Sequence, residues 1–194
     1  DNIEVAKMIE TLASFFRYSI SRKGNLVTLR DELNNINNYM RIQQYRFNHR
    51  FSMEIVIDDE NTAAYDYYVP RLILQPIVEN AIYHGIEQMA ENTSIYIKGI
   101  VDGDDCVIEI SDAGKGMTEE ELECLEKKIA GEIESDGGSG NGIGLKNVQD
   151  RIHIAFGETY GIQIASKLGA YTKVMVRIPI LHKEAVTDKG LSLI

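Results

Sequence analysis

The chain has few of the residues that cross-link small domains or build metal centres. Its 194 residues include two cysteines, three prolines and no tryptophan. Two cysteines, Cys106 and Cys124, cannot form a disulfide framework and do not make a zinc site. We expect both to be small, buried apolar residues in a reducing cytoplasm.

Positive charge is also scarce, with 20 Lys and Arg against 30 Asp and Glu and a net charge of −10. A nucleic-acid-binding protein usually has a basic face, so this class is disfavoured, and the acidity indicates solubility. No run approaches the roughly 18 apolar residues of a membrane span, and no signal peptide opens the sequence. The chain opens at Asp1 within a helical pattern, so we expect a longer parent protein.

Apolar residues recur at helical spacing twice before residue 47, which predicts two helices joined by a turn at Gly24 and Asn25. Thr28, followed three residues later by Asp31, predicts the start of the second helix. The apolar stripe of the first helix leaves two interpretations open: packing against the second helix, or a seam between two copies of the chain.

The period then changes to alternation over 51–57, which predicts a half-buried strand. A further helix is predicted over 70–87, opening at Pro70. Pro76 would either kink that helix or mark its true first turn.

The remaining pattern continues to the end of the chain. The predicted elements are a hairpin turning at 102–104, a helix from Thr118 to about Ala130, a mobile loop over 131–141, a helix ending at Gly157, a hairpin around Gly169 and a frayed tail. Strands grouped in hairpins predict an α+β sandwich, a mixed sheet with helices on one face. We divide the chain into a helical stem (1–47), a sandwich domain (48–182) and a tail (183–194).

The first of three candidate functional stretches lies late in the helix over 70–87. Glu79 and Asn80 are polar residues in a strongly apolar helix, and His84 follows Asn80 at i+4 on the same face. A carboxamide oxygen suits Mg²⁺, and Glu79 has the chemistry of a base or an orienting group. An ordinary hydrogen-bonded helix end is the alternative.

The second stretch, 112–117, directly follows a predicted strand. Asp112 would leave the sheet as a fixed acceptor, suited to an exocyclic amine, while Gly114 and Gly116 would let the backbone approach a flat ligand. A tight turn without a ligand is the alternative.

The third stretch, 137–147, contains glycines that run directly into a helix. Converging backbone N–H groups and a helix N-terminus predict a phosphate site. The spacing fits neither a P-loop nor a dinucleotide fingerprint. A flexible linker is the alternative.

In this order, the three stretches resemble the motifs of the GHKL ATPase superfamily, which includes histidine kinases and DNA gyrase. Residues 79–85 resemble its N box, 112–116 its G1 box and 140–145 its G2 box. The run from Leu74 to Ala81 (LQPIVENA), with 17–19 (RYS) and 27–29 (VTL) upstream, is similar to the LytS-type sensor histidine kinases of bacteria.

The resemblance implies a Bergerat ATP-binding sandwich that takes ATP and Mg²⁺ under a lid formed by 117–139. In the N box it implies that Asn80 holds Mg²⁺, that Glu79 assists phosphoryl transfer, and that Tyr83 and His84 make further contacts. It implies that Asp112 binds the adenine amine, that Gly114 and Gly116 lie beside the base, and that Thr172 lies on the adenine side. The residues implied at the phosphates are Gly140, Gly142, Gly144 and Leu145.

Two positions depart from the family pattern. Ala113 stands where the G1 box usually has Asn, which removes a side-chain contact but leaves Asp112 in place. Tyr83 stands where the N box often has Lys, which removes one positive contact to the phosphates.

In the family, the phosphorylated histidine lies in a Pro-His-Phe-like motif, and none of the four histidines here has that context: His49, His84, His153 and His182. The resemblance therefore implies the ATP-binding, catalytic part of a two-component histidine kinase. Its γ-phosphate would pass to a histidine outside this chain and then to a response regulator.

By the same resemblance, the full-length protein would be a homodimeric, membrane-anchored bacterial sensor, with this portion in the cytoplasm. Two alternative functions remain: a gyrase-like ATPase that drives clamp closure, and a non-catalytic nucleotide-sensing module.

Overall fold

The computed structural model describes residues 2–21, 25–47, 51–57, 64–86, 93–133 and 142–183. Its N-terminal part consists of two helices, α1 (Asn2–Ile20) and α2 (Leu29–Arg46), as predicted. Thr28 caps α2, because its hydroxyl oxygen accepts a hydrogen bond from the backbone N–H of Asp31 at 3.2 Å.

Helix α1 packs against α2 through only part of its apolar stripe. The ring of Phe15 lies 5.7 Å from that of Tyr39, centroid to centroid. No residue of α1 is buried, and Ile20 at the end of the stripe is 77% exposed. Packing against α2 therefore does not account for most of the stripe.

Helix α2 is integrated with the rest of the molecule. Four of its apolar side chains are buried in the same hydrophobic cluster as the residues of the main sheet: Leu29, Leu33, Ile36 and Met40. The stem and the sandwich thus share a core, while the division at residue 47 remains a prediction.

The main sheet has five strands in the order β2-β4-β5-β7-β6, and β2 runs parallel to β4 while the other pairs are antiparallel. A two-stranded sheet, which the sequence pattern did not predict, pairs β1 with β3. The strands are β1 (Leu26–Thr28), β2 (Phe51–Ile57), β3 (Tyr68–Pro70), β4 (Thr93–Asp102), β5 (Asp105–Asp112), β6 (Gly161–Lys167) and β7 (Tyr171–Pro179).

One face of the main sheet is covered by helices. Inward residues of β5 alternate with half-buried ones, so that Cys106, Ile108 and Ile110 lie in the core. The opposite face bears polar and exposed side chains, including a Glu109–Lys173 ion pair at 2.9 Å. This arrangement confirms the predicted α+β sandwich with one helical face.

The predicted helix opening at Pro70 is wrong. Pro70 ends β3, and Leu72 has a φ of +59°, which no α-helix accommodates. The helix α3 begins only at Gln75 and runs to Asn80, so Pro76 lies in its first turn, the second of the two predicted alternatives. A π-helical turn, Ala81–Ile86, continues it.

The last two helices confirm their predicted limits. Thr118 and Glu121 form a reciprocal capping box at the start of α4 (Glu119–Ala130), and α5 (Ile143–Phe156) ends at Gly157. Most of the predicted mobile loop (134–141) and of the predicted tail (184–194) lies outside the described residues. Among the helices within the described ranges, none has the length and apolar character needed to cross a membrane.

We expect Ile108→Ala to lower the free energy of unfolding by about 2–5 kcal/mol, because Ile108 is fully buried in the central strand. Val56→Ala is the control, because Val56 is 49% exposed on β2, and it should change the stability by less than about 0.5 kcal/mol. Urea unfolding followed by circular dichroism measures both. Similar losses in the two variants would contradict the assignment of the covered face.

Candidate functional site

A cavity of about 450 Å³ lies between the covered face of the sheet and helices α3, α4 and α5. This volume is in the range of small-molecule sites. All three stretches singled out in the sequence contribute to its wall, together with two residues of β7, Thr172 and Val174. The predicted residues that line it are Asn80, Asp112, Gly116, Gly142, Leu145 and Thr172.

The inner wall of the cavity is apolar. It is formed by one side of α3 and by inward-facing positions of the sheet, where Ile110 pairs with Val174 and Val174 with Ile164. These side chains would contact the face of a flat ring. The apolar residues of this wall are Ile77, Ala81, Ile110, Ile164 and Val174.

Asp112 occupies the last inward-facing position of β5 and is buried. Burial raises the pKa of its carboxyl to about 6, although a hydrogen bond from the N–H of Gly114 to Oδ1 (2.9 Å) acts in the opposite direction. Thr172 lies opposite Asp112 on β7. The cavity therefore has a fixed carboxylate acceptor beside a hydroxyl at the same end.

The stretch after Asp112 is fixed to the turn between β6 and β7. The N–H of Met117 donates to the hydroxyl of Ser166 at 2.9 Å, and that hydroxyl lies 3.0 Å from the hydroxyl of Thr172. Gly116 has a φ of +65°, and a Cβ there would lie only 2.0 Å from the carbonyl oxygen of Lys167. Gly116 is thus required by a close backbone contact, in addition to lining the cavity.

Another part of the cavity wall is the N-terminus of α5. Gly142 precedes the helix with a φ of +100°, and its carbonyl accepts the N–H of Lys146 at 2.8 Å. A helix N-terminus presents free N–H groups and positive potential to an anion. A Cβ at Gly142 would lie 3.5 Å from Cβ and Cδ of Lys128, which also lines the cavity.

Helix α4 lies within the predicted lid (117–139) and provides a wall whose individual residues the sequence analysis did not name. One of them, Cys124, was expected to be buried, and the structure shows it exposed. Four residues of α4 follow the spacing i, i+3, i+4, i+7, which places them on one face. That spacing, immediately after the 112–117 stretch, was the signal available in the sequence. The cavity residues that were not predicted individually are Lys115, Met117, Glu120, Glu121, Cys124, Leu125 and Lys128.

Several predicted residues do not line this cavity in the part of the chain that is described. Glu79 accepts a hydrogen bond from Gln75 at 2.8 Å, and Tyr83 is 61% exposed. Gly144 lies against Pro76: a Cβ added at Gly144 would be 3.4 Å from the Cβ of the proline. Gly114 supports Asp112 through its N–H.

Two further predicted residues need separate mention. His84 lies in the π-helical turn, while Gly140 lies outside the described residues. Among the residues that are described, there is no group of three or more His, Cys, Asp and Glu that could hold a metal ion. A single carboxamide oxygen, that of Asn80, nevertheless fits Mg²⁺, which retains waters and takes other ligands from phosphates.

Comparisons with protein families match two parts of the chain. A family described as histidine kinase-, DNA gyrase B- and HSP90-like ATPase matches residues 67–182. A second family, described as histidine kinase, matches residues 1–51.

Similar sequences are found among bacterial sensor proteins. The chain is 35% identical to the sensor histidine kinase YesM of Bacillus subtilis over 91% of its own length and 28% of that protein. It is 31% identical to the sensor histidine kinase BtsS of Escherichia coli over 92% of its length and 28% of that protein. It is 30% identical to the sensor protein LytS of Staphylococcus saprophyticus over 95% and 30%. The chain therefore spans less than a third of these relatives.

Solved structures share the fold at low sequence identity. The catalytic domain of the histidine kinase ThkA matches with a TM-score of 0.56 and 17% identity, covering 80% of this chain and 94% of that one. The histidine kinase AdeS of Acinetobacter baumannii matches with a TM-score of 0.55 and 16% identity, covering 92% and 80%.

Gly116→Ala should destabilise the protein by more than a positive φ alone explains, because its Cβ would clash with backbone atoms of Lys167. Gly169→Ala is a matched control, since Gly169 has a φ of +72° and a Cβ there meets nothing within 4 Å. We expect a loss of about 1–2 kcal/mol for Gly169→Ala and a distinctly larger loss for Gly116→Ala, measured by urea unfolding. Equal losses would show that the contact with Lys167 does not require glycine.

Proposed function

Because this chain belongs to the family of histidine kinase-, DNA gyrase B- and HSP90-like ATPases, we propose that it is the ATP-binding, catalytic part of a sensor histidine kinase. It passes the γ-phosphate of ATP to a histidine outside these 194 residues, and from there the phosphoryl group moves to a response regulator. One observation favours this function most: Asn80, Asp112 and Gly142, far apart in sequence, line one cavity.

In this proposal, the adenine end of the cavity is the one that contains Asp112. An ionised carboxylate accepts a hydrogen bond from the exocyclic amine of adenine, while the apolar inner wall contacts the ring faces. Thr172, held by its neighbour Ser166 at 3.0 Å, provides a second polar group beside the base. A guanine would place a carbonyl oxygen against the Asp112 carboxylate, which is repulsive.

The phosphate end is the N-terminus of α5. Backbone N–H groups after Gly142 bind phosphate oxygens, and Lys128, whose side chain lies against Gly142, provides positive charge. This lysine compensates for the absence of a lysine at Tyr83. The residue Asn80 would hold Mg²⁺, which when bound neutralises charge on the β- and γ-phosphate oxygens.

Glu79 acts toward the incoming histidine. Its carboxylate accepts the N–H of one imidazole nitrogen, which leaves the other nitrogen with a free lone pair aimed at the γ-phosphorus. The side-chain amide Nε2 of Gln75, which donates to Oε1 of Glu79, fixes the orientation of that carboxylate. Catalysis in this class consists mainly of such positioning and of charge stabilisation.

We extend the proposal to the whole protein. The relatives are more than three times longer than the part of them that this chain matches. The whole protein is a homodimeric bacterial sensor anchored in a membrane, with this portion on the cytoplasmic side and a response regulator as its partner.

The decisive experiment is a calorimetric titration with ATP and with adenosine. The native chain should bind both, and Asp112→Asn should weaken both by about 10- to 100-fold, since a hydrogen bond to a charged group is lost. Asp66→Asn is the control, because Asp66 forms only an exposed surface pair with Arg30, and it should bind normally. Unchanged adenosine binding in Asp112→Asn would refute the assignment of the adenine end.

The titration with adenosine, which has no titrating phosphate, should depend on pH. The pKa of Asp112 is raised to about 6 in the free protein, and adenine requires the ionised carboxylate. Affinity should therefore be full above about pH 7 and fall as the pH drops through 6 toward 5. Asp112→Asn should show no such fall, and an identical pH profile for the two proteins would contradict the proposal.

Incubation with γ-labelled ATP and Mg²⁺ should leave no acid-labile label on this chain, because its four histidines lack the context of a phosphate acceptor. Transfer should appear only when the full-length protein supplies the acceptor. Stoichiometric acid-labile label on His49, His84, His153 or His182, identified by mass spectrometry, would contradict this.

A further inference from the structure

Besides Asp112, two polar residues are buried among the described part of the chain, Glu32 and Asn35. They lie three residues apart on α2, on the face that packs against α3. Neither lines the cavity. A buried carboxylate is costly unless it is well hydrogen-bonded, so the hydrogen-bond partners of Glu32 decide whether it is tolerated.

Glu32 binds the backbone of the segment that leads into α3. Its Oε1 accepts the N–H of Leu72 at 2.7 Å, and its Oε2 accepts the N–H groups of Ile73 at 3.2 Å and Leu74 at 3.3 Å. Three consecutive N–H groups can converge in this way because Leu72 adopts a left-handed φ of +59°. This strained conformation is maintained by the carboxylate that it binds.

A residue of α1 completes the same group of contacts. The hydroxyl of Tyr18 donates to Oε1 of Glu32, and the guanidinium of Arg71 lies 4.9 Å from the centre of the Tyr18 ring. Burial raises the pKa of the Glu32 carboxyl, while its four donors favour the ionised form. The carboxylate therefore joins α1, α2 and the start of α3.

Asn35 makes a second connection one helical turn further along. Its side-chain N–H donates to Oε1 of Gln75 at 2.9 Å, and Nε2 of Gln75 donates to Oε1 of Glu79 at 2.8 Å. The first hydrogen bond determines the orientation of the Gln75 amide, because its oxygen must face Asn35. The Gln75 amide nitrogen is thereby directed at Glu79.

We infer that Glu32 and Asn35 are positioning residues that fix α3, and with it Glu79 and Asn80, relative to the helices α1 and α2. This inference rests on the proposed function, since Asn80 matters only if the cavity binds a nucleotide. A movement of α1 against α2 reaches α3 through Tyr18 and Glu32. The N-box end of the cavity thus depends on the stem, whereas the end containing Asp112 depends on the sheet.

The test separates these two ends of the cavity in the 194-residue chain. Titrations use adenosine, ATP with EDTA, and ATP with Mg²⁺, for the native protein and for Asn35→Ala. The control is Asn37→Ala, which removes the same side chain from an exposed position of α2. Amide hydrogen exchange of residues 77–80 is measured in parallel as a readout that is independent of ligand.

We expect Asn35→Ala to bind adenosine with an affinity within about twofold of the native protein. The factor by which Mg²⁺ raises its ATP affinity should be smaller by at least about threefold, in keeping with the loss of one hydrogen bond. Exchange at 77–80 should be faster. Asn35→Asp, although isosteric, should behave similarly, since a carboxylate turns the Gln75 amide and presents its oxygen to Glu79. Asn37→Ala should match the native protein in every measurement.

Glu32→Gln should reduce the Mg²⁺-dependent gain in ATP affinity more than Asn35→Ala does. Tyr18→Phe should reduce it less, because the three backbone hydrogen bonds to Glu32 stay intact. If Glu32→Gln does not fold, the Asn35 and Tyr18 variants still decide the matter. The inference would be overturned if Mg²⁺ raised the ATP affinity of Asn35→Ala as much as that of Asn37→Ala. It would also be overturned if Asn35→Ala lost adenosine affinity to the same extent as it lost the Mg²⁺-dependent gain. Failure of the native chain to bind adenosine would instead overturn the proposed function.

Discussion

The cavity exists because one inward-facing position of the central strand holds a carboxylate instead of an apolar side chain. Along β5, strict alternation places Cys106, Ile108 and Ile110 in the core and Asp112 in the next inward position. An unpaired buried carboxylate would be unfavourable there. The N–H of Gly114 donates to one carboxylate oxygen of Asp112, and the cavity allows a ligand to bind beside the other oxygen. Asp112 therefore marks both the end of the apolar core along β5 and the start of the site.

The rest of the site is arranged around this carboxylate by backbone contacts more than by side chains. The stretch after Asp112 must leave the sheet beneath the turn between β6 and β7, and only a residue without a Cβ fits at Gly116. In another part of the wall, α5 begins at Gly142 with its N-terminus toward the cavity. A site of fixed N–H groups, one carboxylate and an apolar wall suits a ligand with a flat ring at one end and negative charge at the other.

The two ends of the cavity belong to different parts of the molecule. Asp112 and Thr172 are neighbours within the sheet, whose packed core makes their separation nearly invariant. Asn80 lies on a short helix of six residues, preceded by the strained backbone at Leu72 and held by two buried polar residues of α2. In the proposed function, a signal in the helical stem would have to alter phosphoryl transfer, and the stem contacts this second end through Glu32 and Asn35.

The amino-acid sequence by itself predicted most of the helices and strands and suggested the chemistry of the site. Periodicity predicted α1, α2, α4, α5 and the two antiparallel hairpins, because side chains that face a core repeat at 3.6 or 2 residues. The spacing of Asn80, Asp112 and the glycines before α5 was sufficient to suggest a nucleotide site and a family. Local pattern failed at Pro70, where a helix was predicted and a strand was found, since pairing with β1 and hydrogen bonds to Glu32 lie outside the local sequence. Only the tertiary structure decided that Gly116 must leave room for the carbonyl of Lys167, which residues of α4 line the cavity, and that Glu32 and Asn35 face α3. Each of these depends on contacts between residues distant in sequence, and local periodicity holds no information about such contacts.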